Sequence, residues 1–398
     1  MLAFFSASNG TVDSVSAMEE AVSQAFGDSS PEMCDLLIFH TTMGHNFEPM
    51  LSEARRLCPN AKIVGCTCAG IIGIEGADES MRALAIMAIT ASNKEQIQVS
   101  FCEQITGENS YAVAKSMANT IQEKNQDIKM VQILASGIDI ASDQAIKGIE
   151  SVFGTSIPIF GGTSSDNMKA ISSYQFLDST ILERGAILIG YADQTLDIEM
   201  GVHHGSLPVG DGFTVTKSTK NRVYEIEDQP AWSFIMDRLN MPHDTHPGPC
   251  IPIAGLGELL PEGLHRPYDN SHILRVIVKV DNDQSFYMPV DCPQGTKLWL
   301  TQRNEEVIFE GMNQLMSDLT QRIGNREIVA VFHTDCAARG RAMFDKIHKE
   351  EIIGLMQKPL MGESSLPWLG MYGYGEFTLL NGKNYFHNYT SSIYALVR

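Results

Sequence analysis

The sequence predicts an α/β protein of mixed sheets flanked by helices and divided into two domains. Three observations carry that prediction. Apolar runs of strand length alternate with stretches whose apolar residues recur at helical spacing. One order of elements, β–loop–α–β–turn–β–β, recurs three times. The chain has 398 residues, more than one core of the usual size accommodates.

The first copy opens with the buried strand Asp35 to Phe39, running into His40-Thr41-Thr42. A helix follows, with Phe47, Met50, Leu51, Ala54 and Leu57 on one face. Ile63-Val64 then leads into the small-residue turn Gly65-Cys66-Thr67-Cys68-Ala69-Gly70, and a strand from Met81 to Thr90 closes the unit. The second copy repeats this from Met130. It has the strand Val131 to Leu134, a helix from Ala145 to Phe153, the strand Ile157 to Phe160 and the turn Gly161-Gly162-Thr163-Ser164-Ser165-Asp166-Asn167. Two strands, Ser172 to Leu177 and Gly185 to Tyr191, finish it. The third starts at Ile328 to Phe332 and continues through Cys336-Ala337-Ala338-Arg339-Gly340 into a helix with Phe344, Ile347 and Ile352. A loop with Pro359 and Pro367 precedes Gly373-Tyr374-Gly375-Glu376 and the final strands. In each copy the first two strands can pair in parallel through the helix, and the last two form an antiparallel hairpin. Between the second and third copies, Pro208–Gly212 and Pro242–Gly263 read as long ordered loops, while Glu305 to Ile323 is an amphipathic helix. The boundary is placed near 222, giving domains 1–222 and 223–398.

Charge narrows the partners. With 29 Lys and Arg against 48 Asp and Glu the net charge is −19, a field that repels nucleic-acid backbones and anionic lipid. No apolar run reaches the roughly 18 residues of a spanning helix, so no membrane insertion is expected. The start MLAFFSASNG has no Lys or Arg before its apolar run, unlike a secretion signal, and the eight cysteines follow no framework spacing. A cytoplasmic location with reduced thiols is the expectation.

No Walker loop or Gly-x-Ser-x-Gly elbow is present, so the chain is expected not to be an enzyme. Cys66-x-Cys68 and His243-x-x-His246 are incomplete as zinc patterns. Four groups are candidates for ligand contact. His203 and His204, adjacent in a strand, should face opposite sides, one packed and one free to meet a cavity. Asp166 and Asn167 follow the glycine pair and either cap the turn or bind a ligand. Cys336 and Arg339 lie where a strand ends before a helix, a place where α/β sheets gather ligands, and Arg339 suits an anion. Glu376 and Asn388 form either a satisfied internal network or a pocket wall. Cys336 near His333 and Arg339 leaves a cysteine-dependent enzyme as an alternative.

These runs resemble a known family. The two glycine turns, with His204-Gly205-Ser206-Leu207-Pro208-Val209-Gly210, look like the FIST N-terminal domain; Cys336-Ala337-Ala338-Arg339-Gly340, Gly373-Tyr374-Gly375-Glu376 and Asn388-Tyr389-Thr390 resemble the FIST C-terminal domain. The resemblance implies a bacterial sensory module of signal transduction that binds a small ligand near His204, Asp166, Asn167, Cys336, Arg339, Glu376 and Asn388. It also implies action on a separate partner such as a two-component histidine kinase or a cyclic-di-GMP enzyme, since no F-box or output segment is seen. Some stand-alone members look like haem-binding nitric-oxide sensors. That makes haem an expected cofactor with His203 or His204 as axial ligand, an amino acid or metabolite the alternative ligand, and a homodimer compatible. A serine is usual where Cys66 stands, and His203 is additional to the family pattern.

Overall fold

A computed structural model describes residues 1–362 and 365–398. It is the mixed α/β protein expected, and the repeat is longer than the sequence suggested. Each unit begins with an additional strand and helix. The first runs β1 (Leu2–Asn9), α1 (Ser14–Phe26), β2 (Leu36–Thr41), α2 (Phe47–Leu57), β3 (Lys62–Thr67), β4 (Ile71–Gly73), β5 (Gly76–Asp78) and β6 (Leu84–Ala91). The second repeats it as β7 (Ile97–Cys102), α3 (Ser110–Lys124), β8 (Met130–Ser136), α4 (Ser142–Phe153), β9 (Ile159–Ser164), β10 (Tyr174–Leu177), β11 (Thr180–Glu183) and β12 (Ala186–Tyr191). The third runs β13 (Asp197–His203), an inserted region over 206–303, α5 (Glu305–Ile323), β14 (Ile328–Cys336), α6 (Lys346–Met361), β15 (Trp368–Gly373), β16 (Gly375–Leu380), β17 (Lys383–His387) and β18 (Ser391–Val397).

The helices are set by their ends. Asp13 accepts from the Ser16 N–H at 2.9 Å to start α1, Asn304 from Val307 at 3.0 Å to start α5, and Asp345 from His348 at 2.9 Å to start α6. Gly27 and Gly324, at φ 53° and 60°, close α1 and α5. β2, β8 and β12 are buried along their whole length, which explains their uninterrupted apolar runs.

Each unit forms a six-stranded sheet, but not from its own strands alone. The parallel pairs β2–β3, β8–β9 and β14–β15 form as expected. Antiparallel hairpins form too, but not within their own unit's sheet. β4–β5 leaves the first unit and pairs with β15 of the third; β10–β11 leaves the second and pairs with β3 of the first; β16–β17 leaves the third and pairs with β9 of the second. The three units therefore exchange hairpins in a ring, and strands from both sides of residue 222 share two of these three sheets. Cross-unit side chains reinforce the exchange: Glu79, after β5, accepts from the Arg341 N–H at 2.9 Å and from Lys349 Nζ at 2.6 Å.

The insertion forms a fourth, eight-stranded sheet. Two stretches expected to be loops are ordered elements. Pro208–Gly212 lies inside the long strand Ser206–Thr219, at a bulge between Val209 and Phe213. Pro242–Gly263 contains a short helix at Pro247–Cys250 and the strand Gly255–Leu259. Pro359 does not end a loop: α6 runs through it. Ile347 is exposed rather than core-facing.

Candidate functional site

The end of β14, the hairpin β16–β17 and the insertion converge on a closed polar centre. Arg339 sits in the turn just after β14 and is 1% exposed. Its Nε donates to Asp335 Oδ1 at 2.8 Å and its Nη1 to the His204 carbonyl at 3.2 Å, while Nη2 has no partner. Burial raises the Asp335 carboxyl above its ordinary range, and the Arg339 charge opposes that rise.

Glu376, on β16, is fully buried. Its Oε2 accepts from the Thr390 hydroxyl at 2.6 Å and the Thr390 N–H at 3.3 Å; Oε1 has no partner. Burial pushes this acid well above the usual carboxyl range, Asp335 pushes the same way, and the bonds from Thr390 oppose them. His387 stands directly opposite on β17. Its Nδ1 pairs with the Tyr268 hydroxyl at 3.0 Å and its Nε2 has no partner. The Tyr268 ring lies 5.3 Å from the rings of both His204 and His387. Arg339 Nη2, Glu376 Oε1 and His387 Nε2 are thus buried polar atoms without hydrogen bonds in one neighbourhood.

The glycine pair explains how the strands come so close. A Cβ on Gly162 would stand 2.5 Å from the Thr334 methyl and 2.9 Å from the Gly375 carbonyl oxygen. Gly161 adds φ 113°. Next to the polar centre a narrow cavity, with room for about one water, is lined by Trp232, Ile235, Cys250, Leu256, Arg275 and Tyr389. Tyr389, at φ 60°, is part of that lining.

Of the residues singled out from sequence, His204, Cys336, Arg339 and Glu376 come together here. Asn388 borders them as a brace: its Oδ1 accepts from Val276 N–H at 3.3 Å and its Nδ2 donates to the Tyr374 carbonyl at 3.0 Å. Asp166 is elsewhere, and its oxygens are occupied. They accept from the backbone N–H groups of Lys169, Ala170, Ile171 and Ser172 and from the Tyr374 hydroxyl, which winds Met168 and Ala170 to positive φ. Asn167 beside it is half-buried, with Nδ2 at 3.7 Å from Met81 Sδ. Asp335, Tyr268 and His387 were not singled out. Asp335 had a signal, its i,i+4 spacing to Arg339; Tyr268 had none, because only the insertion's fold carries it here.

The histidine expectation is corrected. β13 ends at His203, so alternation stops there, and both rings are buried side by side with centroids 6.1 Å apart. His204 Nδ1 accepts from the Ser206 N–H at 2.9 Å and Nε2 donates to the His272 carbonyl at 2.9 Å, leaving no nitrogen free. His203 Nε2 lies 3.3 Å from the Val307 carbonyl, and the ring fills the space over Gly311, where a Cβ would stand 2.0 Å from Cε1. As placed, neither residue fits an axial haem ligand. Among the described residues no three His, Cys, Asp or Glu side chains are grouped to hold a metal. His333 and Cys336 lie three apart on one strand and face opposite sides; His333 Nε2 is held by the Ser391 hydroxyl at 2.8 Å. Burial pushes the Cys336 thiol well up, so it is not an activated nucleophile.

Three interlaced α/β units, with a closed polar centre where the third meets the insertion, define a multi-sheet α/β protein with a buried polar site. The FIST N domain matches residues 35–229 and the FIST C domain residues 252–378, and the chain belongs to the FIST family. FIST domains are small-ligand sensory domains of signalling proteins. No curated protein matches the sequence. Among solved structures, the cyanuric acid hydrolase from A. caulinodans aligns over 100% of this chain and 99% of its own, at 8% identity and TM-score 0.38. A second cyanuric acid hydrolase aligns over 100% of both chains at 10% identity and TM-score 0.36. T. maritima PurL complexed with AMPPCP aligns over 100% of this chain and 72% of its own, at 8% identity and TM-score 0.24. The expectation that the chain is not an enzyme is withdrawn, since two of the solved structures it aligns with along their length are hydrolases. At such TM-scores their activity is not carried to this chain. No helix among the described residues is long and apolar enough to cross a membrane.

Proposed function

We propose that this FIST protein is a small-ligand-sensing regulator whose ligand is a compact, carboxylate-bearing metabolite of the amino-acid type, enclosed at Arg339, Glu376 and His387. One observation carries the reading: Arg339 Nη2, Glu376 Oε1 and His387 Nε2 are buried together without partners. Each such atom costs about 1–3 kcal/mol, and a carboxylate accepting from the guanidinium and the imidazole removes that cost. Glu376 supplies a further contact to the ligand through its unpartnered Oε1. Ligand entry needs Tyr389 and the facing insertion to move, which couples occupancy to the packing between the insertion and the third unit. Signal output is assigned to a separate cytoplasmic partner, a histidine kinase or a cyclic-di-GMP enzyme, with a basic patch suited to this acidic chain.

The test is a thermal-stability screen with amino acids and small carboxylates. A compound that raises Tm in the native protein and not in Arg339→Met supports the assignment. A screen without any shift sinks it.

A further inference from the structure

We infer that Ser392 is a further ligand contact of the polar centre and that the ligand is a zwitterion, an α-amino acid, whose ammonium group is held by Ser392 Oγ and Glu376 Oε1. This rests on the carboxylate site proposed above and adds the groups that recognise the other end of the ligand.

The internal repeat separates what the fold needs from what it does not. In each six-stranded sheet, one row of directly opposed residues crosses two positions before the last parallel pair. In the first sheet the row is Ile86, Phe39, Gly65 and Phe176. In the second it is Ile187, Leu134, Gly162 and Glu376. In the third it is Ser392, Thr334, Met371 and Ile71. The same fold is thus built with isoleucine at the position of Ser392 and with phenylalanine or isoleucine at that of Glu376, so packing requires neither polar group.

These two exceptions meet. The second and third rows face each other, since a Cβ on Gly162 would stand 2.5 Å from the Thr334 methyl and 2.9 Å from the Met371 methyl. Along the chain, the residues two before and two after Ser392 both reach β16. The Thr390 hydroxyl donates to Glu376 Oε2 at 2.6 Å, and the Tyr394 hydroxyl donates to the Phe377 carbonyl at 2.8 Å. Ser392, between them, therefore stands against Glu376. It is fully buried, and its hydroxyl bonds neither to Glu376 Oε1, which is also unpartnered, nor to the Tyr394 hydroxyl. Two oxygens that face each other unbonded call for a donor between them. An ammonium carries three N–H groups and serves both, while the ligand carboxylate takes the donors Arg339 Nη2 and His387 Nε2. A zwitterion also brings no net charge into a closed site, as a simple carboxylate or amine would.

The test is calorimetric titration and thermal denaturation of the full chain with the common amino acids, each paired with its deaminated and 2-hydroxy counterparts. An amino acid is expected to raise Tm and to bind about tenfold or more tighter than either counterpart. Ser392→Ala is expected to weaken that amino acid by about fivefold or more and to leave the counterparts unchanged. Its ligand-free Tm should be no lower than that of the native protein, because the hydroxyl it removes is unsatisfied. Equal binding of an amino acid and its counterparts, all lost in Arg339→Met, overturns the zwitterion and leaves the carboxylate site standing. A lower ligand-free Tm in Ser392→Ala, or undiminished amino-acid binding by it, overturns the role of Ser392. No shift with any compound sinks both readings.

Discussion

Arg339 donates to the backbone carbonyl of His204 at 3.2 Å, joining the end of β14 to the turn that leaves β13. The same guanidinium holds Asp335 at 2.8 Å, so one buried cation organises a strand end, a turn and an acid. Removing one partner of a buried pair strands the other's charge, which costs about 3–5 kcal/mol. Arg339→Met is therefore expected to destabilise by that amount in urea denaturation, and adding Asp335→Asn is expected to recover part of it. Equal stability of Arg339→Met and the native protein would show that the pair contributes nothing.

The buried histidines set the acid limit. Burial pushes His40, His204 and His333 down to about 3 and His203 to about 4. The unfolded chain takes up these protons near pH 6.5 and the folded chain does not, so stability is lost as pH falls below 6.5. The loss is up to about 1.4 kcal/mol per pH unit for each histidine. Glu376 has the opposite sign: the fold retains a proton that the unfolded chain releases above its ordinary 4.5. Glu376→Gln should therefore gain on the native protein as pH rises from 5 to 8. Denaturation curves across pH 4–8 measure both slopes.

Gly311 leaves room for the His203 ring. Gly311→Ala forces a methyl into it and is expected to cost about 1–3 kcal/mol, despite the better helix propensity of alanine. Calorimetry of this variant checks it, and an unchanged Tm would mean that the ring has space to move.

Haem taken up by the chain is expected not to use His204, whose ring nitrogens are both engaged. Absorption spectra of haem-titrated native protein and His204→Ala should show the same Soret position. A band lost in the variant would mean that the Ser206 and His272 contacts open to admit iron.

Segments 1–222 and 223–398 are expected not to fold separately, because β4–β5 belongs to the sheet of β15 and β16–β17 to the sheet of β9. Co-expression should restore a one-to-one complex with native near-ultraviolet circular dichroism. A sharply folded isolated 1–222 would contradict this.

Much of this architecture is local and was legible. The β–loop–α–β order, the parallel pairs and the full span of α5 follow from apolar spacing and caps that sit within a few residues of one another. The exchange of hairpins was not, because Ile71 and Ile72 carry the same strand signal whether they pair at home or with Met371 and Gly370. The insertion was misread for a related reason: its prolines and glycines mark a bulge and short helices as readily as loops. At the site, Arg339 and Glu376 were visible as charges in apolar surroundings, whereas Tyr268 and His387 are ordinary residues until the insertion closes over β17.

The ring of hairpins also bears on how the molecule is made. Ile71 and Ile72 emerge from the ribosome roughly three hundred residues before Met371 and Gly370, the strand they pair with. For most of translation the first unit holds an unmatched hairpin, with open hydrogen-bonding edges that invite pairing with other nascent chains. Completion of the second and third sheets waits for the last stretch of polypeptide, so the slow step is topological, and a holdase that shields that edge during synthesis would raise the yield of native protein.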